Sequence, residues 1–299
     1  MKTILFVCEA NTCRSPMAAA LINRFRHPSI QAISAGSTAF WNDGILPVAC
    51  DVLTFAATTP NANNDYRNHL SHPLQPKDFE NADLIVCLSD TVWNEISQTF
   101  GTKENIVLLD IPGPSGQEMS QLLSYLSHLR PKTDQLFRTY CNEEDGIFPM
   151  IQEDLRDVLA IENSSFSIPW SQASFESALR NPTTHPIVYR QNGQIVGYAV
   201  SSLIYETAEL YNIAVSPLHR KIGIGAKLLE FVIQNCSENG AETLFLEVRR
   251  SNSSARKLYE SFGFVYDSVR KNYYKEPVED ALLMHLPLIT RNNYDNPSI

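Results

Sequence analysis

No run in the 299-residue chain approaches the ~18 apolar residues that a membrane-spanning helix requires, so the chain is expected to stay out of the bilayer. Lys2 precedes only a short apolar stretch, residues 4–7. Glu9 and Arg14 end it well short of the ~7–15 residues of a signal-peptide core, and a cytoplasmic protein is expected. The six cysteines form no Cys-x-x-Cys pair, and no histidines fall at zinc-ligand spacing, so no metal site is expected. In a reducing compartment the cysteines stay thiols and matter as core residues or as nucleophiles. Basic residues are also scarce, 24 against 33 acidic for a net charge of −9, which opposes nonspecific or direct nucleic-acid binding. What is present is apolar: 43% hydrophobic and 19% charged residues exclude disorder, and the length predicts about two domains.

Apolar, strand-like runs at residues 3–7, 31–35, 83–88 and 105–109 alternate with helical stretches such as 16–25 and 91–100. That alternation predicts a parallel sheet wrapped by helices. A helical stretch over 117–140, with Leu122, Leu126, Leu129 and Leu136 near helical spacing, closes the unit. The acidic Asn142-Glu143-Glu144-Asp145-Gly146 marks the joint, after which residues 148–151 continue as a strand and 153–161 as a helix. The expected domains are residues 1–141 and 146–290, with 291–299 a loose tail.

The first strand, Thr3-Ile4-Leu5-Phe6-Val7, runs into Cys8-Glu9-Ala10-Asn11-Thr12-Cys13-Arg14-Ser15-Pro16, and Pro16 suits the start of a helix. The short loop between Cys8 and Arg14 can curl so that its backbone N–H groups converge on one point, and the helix start adds positive potential there. Such a cradle fits a phosphate. It also favours the thiolate form of Cys8, while Arg14 can hold two phosphoryl oxygens in a fork, so transfer of a phosphoryl group to sulfur becomes feasible. The plainer reading makes Cys8 a buried strand-end cysteine and Arg14 a surface residue. The whole constellation resembles the low-molecular-weight protein tyrosine phosphatases and the arsenate reductases that share their fold. The likeness continues through Ser34-Ala35-Gly36-Ser37 and Ala82-Asp83-Leu84-Ile85-Val86, over residues 1–140 or so. The resemblance implies Cys8 as nucleophile, Arg14 as transition-state clamp, and Asn11 and Ser15 as the residues that shape the loop and hydrogen-bond the thiolate. It also places Cys13 as a disulfide partner for Cys8 under oxidation.

One element of that family is missing. These phosphatases protonate the leaving oxygen with an Asp followed by Pro, on a loop after the last strand, because an unprotonated alkoxide or phenolate leaves poorly. Here the loop reads Val107-Leu108-Leu109-Asp110-Ile111-Pro112-Gly113-Pro114. Either Asp110 reaches the site through a shifted loop, or Gly113 occupies the acid's place and Asp110 is a turn or helix cap. Trp41 is a candidate wall of the pocket. Cys87, inside a strand-like run, is simpler as a core residue than as a relay thiol for arsenate reduction.

A second anion-binding pattern lies near residue 220. Tyr211-Asn212-Ile213-Ala214-Val215 is strand-like, Ser216-Pro217-Leu218-His219 intervenes, then come Arg220-Lys221-Ile222-Gly223-Ile224-Gly225-Ala226 and a helical stretch over 227–234. Gly223 and Gly225 remove side chains where backbone must approach an anion, and the helix start can hold a pyrophosphate. Alone, such a Gly-x-Gly is as often an ordinary turn. Charge supports the functional reading: residues 220–275 carry ten Lys or Arg against six Asp or Glu, inside a chain of −9. The arrangement of strand, Arg-x-x-Gly-x-Gly and helix resembles the acetyl-CoA signature of the Gcn-related (GNAT) N-acetyltransferases. Phe166-Ser167-Ile168-Pro169-Trp170-Ser171, Leu246-Glu247-Val248-Arg249, Ser251-Asn252, Leu258-Tyr259-Glu260-Ser261-Phe262-Gly263-Phe264, Arg270-Lys271-Asn272-Tyr273-Tyr274 and Glu279-Asp280-Ala281 narrow the resemblance to the ribosomal-protein alanine N-acetyltransferases of the RimI type, over residues 143–288 or so.

That resemblance implies acetyl-CoA as co-substrate. The backbone of Ile213, Ala214 and Val215 would pair with its pantetheine arm, Lys221, Ile222, Gly223, Ile224, Gly225 and Ala226 would hold its pyrophosphate, and Asn252 would lie near its thiol end. A protein α-amino group, with a pKa of ~7.7–8.0, is mostly ammonium at neutral pH and must lose a proton before it attacks a thioester. By the resemblance Glu247 is the base and Tyr259 the acid for the departing thiolate. Taken singly, Glu247 would be a solvent-facing strand residue and Tyr259 a core aromatic. Tyr273, Tyr274 and Trp170 line the peptide entrance or simply pack.

The expected fold is α/β in two domains, an N-terminal doubly wound parallel sheet of the phosphatase type and a C-terminal mixed sheet of the GNAT type. The expected function is acetylation of the N-terminal alanine of a small-subunit ribosomal protein, joined to a cysteine-dependent phosphatase-like domain acting on a phosphotyrosine protein or another phosphate ester. The alternatives for that domain are a noncatalytic phosphate-binding regulator and, last, an arsenate reductase.

Overall fold

The computed structural model describes residues 1–25, 27, 29–55, 66–141 and 145–288. Most of the joint, residues 142–144, and the tail at 291–299 lie outside them. The chain divides into two compact units, Met1–Tyr140 and Cys141–Ile299. No helix among the described residues is long and apolar enough to cross a membrane.

The first unit runs β1 (Lys2–Cys8), α1 (Arg14–Asn23), β2 (Ile30–Gly36), α2 (Pro47–Phe55), α3 (Pro76–Asn81), β3 (Leu84–Cys87), α4 (Asp90–Phe100), β4 (Ile106–Leu108) and α5 (Met119–Tyr140). Its four strands lie in the order β2-β1-β3-β4, all parallel. This is the expected helix-wrapped parallel sheet. β1 shows why: Ile4, Leu5, Phe6 and Val7 are all fully buried, as a central strand covered on both faces must be. Leu5 and Val7 pack with Phe79 of α3 and with Val92 and Ile96 of α4. α1 opens at Arg14, so Pro16 falls in its first turn, where the missing N–H has no intrahelical acceptor to lose.

The second unit runs β5 (Gly146–Pro149), α6 (Leu155–Ser165), α7 (Gln172–Arg180), β6 (Thr184–Gln191), β7 (Gln194–Ile204), β8 (Thr207–Val215), α8 (Ile224–Glu238), β9 (Thr243–Arg249), α9 (Ser253–Ser261), β10 (Val265–Lys275) and β11 (Val278–Pro287). Its strands form one mixed sheet in the order β10-β11-β9-β8-β7-β6-β5. Every neighbouring pair is antiparallel except β8 and β9. That parallel pair holds only from Thr207↔Thr243 to Leu210↔Leu246. Beyond it, residues 211–215 and 247–249 continue in their strands without pairing to each other. The reason is local to β8: Val200 pairs with Asn212 and Ser201 with Leu210, so Tyr211 is the extra residue of a bulge that bends the strand away.

At the end of β2, Gly36 touches the loop after β1 so closely that a Cβ there would lie 2.4 Å from Ala39 Cβ and 2.5 Å from the Glu9 carbonyl oxygen. Gly36→Ala is expected to cost about 1–3 kcal/mol, the usual range for overpacking, read as a lower urea midpoint of the first unit. An unchanged midpoint would contradict the close packing.

Candidate active sites

The loop between β1 and α1 is wound around Asn11. This residue is fully buried with φ +57°, a left-handed backbone that Asn tolerates better than most residues. Its Nδ2 donates to Ser15 Oγ and to Ser34 Oγ, both at 3.0 Å, and its Oδ1 accepts from the His72 N–H at 3.2 Å. Cys8 Sγ lies 3.0 Å from Ser15 Oγ. Because Ser15 Oγ accepts from Asn11, its own proton is free to turn either to the sulfur or to the Ala35 carbonyl at 3.2 Å. The pair can therefore solvate a thiolate. Cys13, at the head of α1, points its Sγ at Met17 Sδ, 3.8 Å away, and burial with the Cys8 charge beside it pushes its thiol up to about 12.

Arg14 is ion-paired with the Glu9 carboxylate of the same loop, and Ser89 Oγ donates to Glu9 Oε1 at 3.4 Å. Gly113 is the residue packed beside Arg14: a Cβ built on it would lie 3.8 Å from Arg14 Nη1, an ordinary contact. Asp110 is exposed, with φ +34°, and its carbonyl accepts from Lys132 Nζ at 2.8 Å. Of the two alternatives that the sequence leaves for the acid's place, the loop brings Gly113 to the arginine. Trp41 is exposed and stacks on His72 at 5.9 Å, on the rim beside Asn11. Cys87 is fully buried in β3, where burial pushes its thiol up to about 12. Sequence reasoning missed Tyr125 of α5, whose hydroxyl is buried without a partner among the described residues. Its electrostatic neighbours are Arg14, Cys13 and Cys8.

In the second unit the turn before α8 has Lys221 at φ +64° and Gly223 at φ +91°. A Cβ at residue 223 would meet nothing within 4 Å, so the turn is open to a ligand, and the first N–H groups of α8 have no intrahelical acceptor. Side chains at Gly225 would make ordinary contact with Leu258 and Val215, at 3.6 and 3.7 Å. Arg220 turns back into the fold: Nε donates to the Val215 carbonyl and Nη2 to Ser165 Oγ, both at 2.9 Å. Ile213, Ala214 and Val215 form the stretch of β8 that has parted from β9, so backbone on that side is free to pair with an extended amide chain. Asn252 uses its Oδ1 to cap α9 at the Ala255 N–H, 3.1 Å away.

Glu247 lies on the end of β9 that β8 has left, where β9 still pairs with β11, between Leu246 and Val248, which are buried in the core. Tyr259 of α9 is buried, its ring 5.7 Å from Phe264, and burial pushes its hydroxyl up, so it carries its proton throughout the neutral range. Tyr274 of β10 is electrostatically coupled to both residues: burial, then the Glu247 charge, push it up to about 12. Trp170 lies 6.4 Å from the Tyr211 ring and 5.3 Å from Phe175.

Residues 155–264 match the acetyltransferase (GNAT) family, and residues 3–124 match the low molecular weight phosphotyrosine protein phosphatase family. The [ribosomal protein bS18]-alanine N-acetyltransferase of Escherichia coli (strain K12) is 38% identical over 139 residues, covering 45% of this chain and 92% of that protein. A Bacillus subtilis (strain 168) protein provisionally assigned the same activity is 40% identical over 133 residues, covering 44% of this chain and 88% of its own length. The chain belongs to the ribosomal-protein alanine N-acetyltransferases of the GNAT family. Among solved structures, the YwlE arginine phosphatase from Geobacillus stearothermophilus is similar at 27% identity, with a TM-score of 0.43, over 48% of this chain and 95% of that one. The molecule is thus a fusion, an N-acetyltransferase that uses acetyl-CoA preceded by a phosphatase-type domain.

In this N-acetyltransferase, sequence reasoning also missed Glu162, which has no motif around it. It is 1% exposed on α6, and three donors converge on its carboxylate: the Trp170 N–H at 2.7 Å, Asn212 Nδ2 at 3.2 Å and the Tyr198 hydroxyl. One buried group therefore ties α6, the loop carrying Trp170, β7 and the bulged part of β8. Glu162→Ala would leave all three donors unsatisfied, and a loss of about 2–4 kcal/mol is expected, read as a lower urea midpoint of the second unit. A midpoint equal to that of the unaltered chain would show that the network is dispensable.

Proposed function

We propose that residues 146–290 acetylate the N-terminal alanine of a small-subunit ribosomal protein, the activity that the relatives' names carry. The observation that supports this most is the stretch of β8, residues 211–215, that has parted from β9 and stays in the sheet through β7, running toward the open Gly223 turn with Glu247 on the strand opposite. An extended thioester carrier would add its amides where β9 has withdrawn and place its pyrophosphate against the residues from Lys221 to Ala226. The acceptor's ammonium gives a proton to Glu247, directly or through water. The freed amine attacks the thioester carbon, the C–S bond breaks, the Tyr259 hydroxyl supplies a proton to the departing sulfur, and the proton that the nitrogen sheds as the amide forms returns to the Tyr259 oxygen. The transfer is direct, in a ternary complex, without an acetyl-enzyme. Asn252 belongs near the thiol end, its side-chain oxygen engaged in the helix cap and its amide group available.

For residues 1–141 we propose Cys8 as nucleophile, a reading supported by Ser15 Oγ at 3.0 Å and by Asn11 behind it, with Arg14 as the clamp for a phosphotyrosine protein or another phosphate ester. A second reading of this domain is favoured by Gly113 beside Arg14: with no carboxyl there, phosphate is bound and the leaving group is not protonated, which makes the domain a phosphate-binding regulator. Arsenate reduction is disfavoured by the burial of Cys87, which keeps it a poor relay thiol.

Two measurements test these readings. In acetyl transfer to peptides that differ in their first residue, the alanine peptide is expected to lead, and Glu247→Gln is expected to lower kcat about 10²–10³-fold with acetyl-CoA KM within twofold or so. Full activity of that variant would remove Glu247 as base. Hydrolysis of an aryl phosphate with a poor leaving group is expected to be slow, to rise up to about 10²-fold in Gly113→Asp, and to vanish in Cys8→Ser. No gain in Gly113→Asp would mean that the missing carboxyl is not what limits turnover.

A further inference from the structure

Glu247 is already engaged. Its Oε1 lies 2.5 Å from Arg270 Nη1, and the Tyr273 hydroxyl donates to the same carboxylate. Arg270 extends from β10 over the Tyr273 ring, 5.6 Å from its centroid, with its side chain 55% exposed, so the contacts that hold the guanidinium face solvent, where another cation can compete for them. On the facing strand, Glu209 is in register with Phe245, two residues before Glu247, and so lies at the point where β8 and β9 separate. Glu209 is exposed at the surface; partial desolvation and the Glu247 charge push its carboxyl up, while Arg270 pulls it down. Other charged and titratable side chains nearby have partners of their own: His285 of β11, in register with Phe245, lies 3.7 Å from Asp267 Oδ1 of β10. Arg249 of β9 is paired with Glu279 of β11 and lies 4.0 Å from the Tyr274 ring centroid, and Tyr274 is held neutral by burial.

Glu247 thus holds the guanidinium in a direct ion pair, and Glu209, where the facing strand departs, lies within its electrostatic reach. An acceptor arrives with an α-ammonium that needs Glu247, the carboxylate that Arg270 holds. We propose that Arg270 keeps the place of the acceptor's ammonium at Glu247 between turnovers, and that Glu209 receives the guanidinium when the acceptor displaces it. Arg270 and Glu209 are then positioning residues, acting through Glu247, and this inference rests on the reading of Glu247 as base. The exchange balances: a guanidinium–Glu247 pair and an uncompensated Glu209 become an ammonium–Glu247 pair and a guanidinium–Glu209 pair, with no bond made or broken. It favours a cationic amine over a neutral one as the species that binds.

The test is steady-state kinetics on the full chain at saturating acetyl-CoA, with the best peptide of the panel as acceptor. Glu209→Gln removes the landing place and is expected to raise acceptor KM about five- to tenfold while kcat stays within twofold or so. Arg270→Met removes the competitor and lowers acceptor KM several-fold, and Arg270→Lys restores it. In the Arg270→Met background Glu209→Gln loses its effect, because Glu209 acts only through the guanidinium. Since the Glu209 carboxyl is pushed up and its protonation removes the landing place, acceptor KM of the unaltered chain also climbs as pH falls and that carboxyl takes up its proton, and Glu209→Gln flattens the climb. The exchange is overturned if Arg270→Met leaves acceptor KM unchanged, or if the Glu209 and Arg270 effects add. Glu247→Gln separates the two levels: full activity there removes the base itself, whereas a loss of activity alongside additive effects removes only the exchange.

Discussion

The acetyl-transfer site depends on an interruption in one sheet: β8 and β9 pair through Leu210 and Leu246 and then separate. A strand edge inside a domain normally costs stability, because each backbone N–H and C=O taken from its partner and from water loses a hydrogen bond. Here the cost is small, since the gap opens to solvent and an amide-bearing substrate can restore the pairing. Something must still hold the strands apart in a reproducible geometry. The bulge at Tyr211 redirects β8, and the Glu162 carboxylate, reached by Asn212 one residue later, anchors the redirected part to α6 and β7. β9 stays straight because β11 pairs with it through Arg249, past the point where β8 leaves. The base and the carrier's strand are therefore positioned by different neighbours, which lets the gap keep its width.

Both units carry the same local device, a strand that ends in a tight turn leading into a helix, a geometry suited to an anion, but they fill the turn differently. In the first, Asn11 occupies the middle of the loop and its side chain ties the loop to Ser34 and His72, so the N–H groups are held by a buried polar scaffold. In the second, the Gly223 turn is left open, and Arg220 anchors it from one side by closing on Val215 and Ser165. The first arrangement suits a small, compact anion surrounded on several sides. The second suits a pyrophosphate at the end of a long molecule, which needs one exposed face.

What could be read from the sequence was what is contiguous in it. Cys8 through Pro16 and Arg220 through Ala226 each carry strand, turn and helix start within about ten residues, and both the sheet types and the motifs' places followed. Element ends shifted by a few residues for local reasons, as where Thr207–Leu210, alternating polar and apolar, lengthened the strand expected from 211. Glu162 was not legible, because its partners lie at residues 170, 198 and 212 and no spacing rule links them. Nor was the Arg270–Glu247 pair, which needs the β10–β11–β9 register to bring the two together. The choice between Asp110 and Gly113 was open for the same reason: a loop's path is set by tertiary anchors, here Lys132 on the carbonyls of Leu109 and Asp110.

That loop also separates two properties that are often treated as one. Affinity for a phosphate comes from the N–H groups, the helix start and the arginine, all supplied by residues 8–15. Turnover further requires a proton for the leaving oxygen, and three polar side chains of the cradle have structural duties: Asn11 shapes it, Ser15 lies on the sulfur, and Glu9 is paired with Arg14. Losing a carboxyl from the loop near residue 113 therefore removes proton delivery while leaving the anion-binding surface whole. The acetyltransferase unit has no such division, because Glu247 and Tyr259 both belong to the elements that frame its gap.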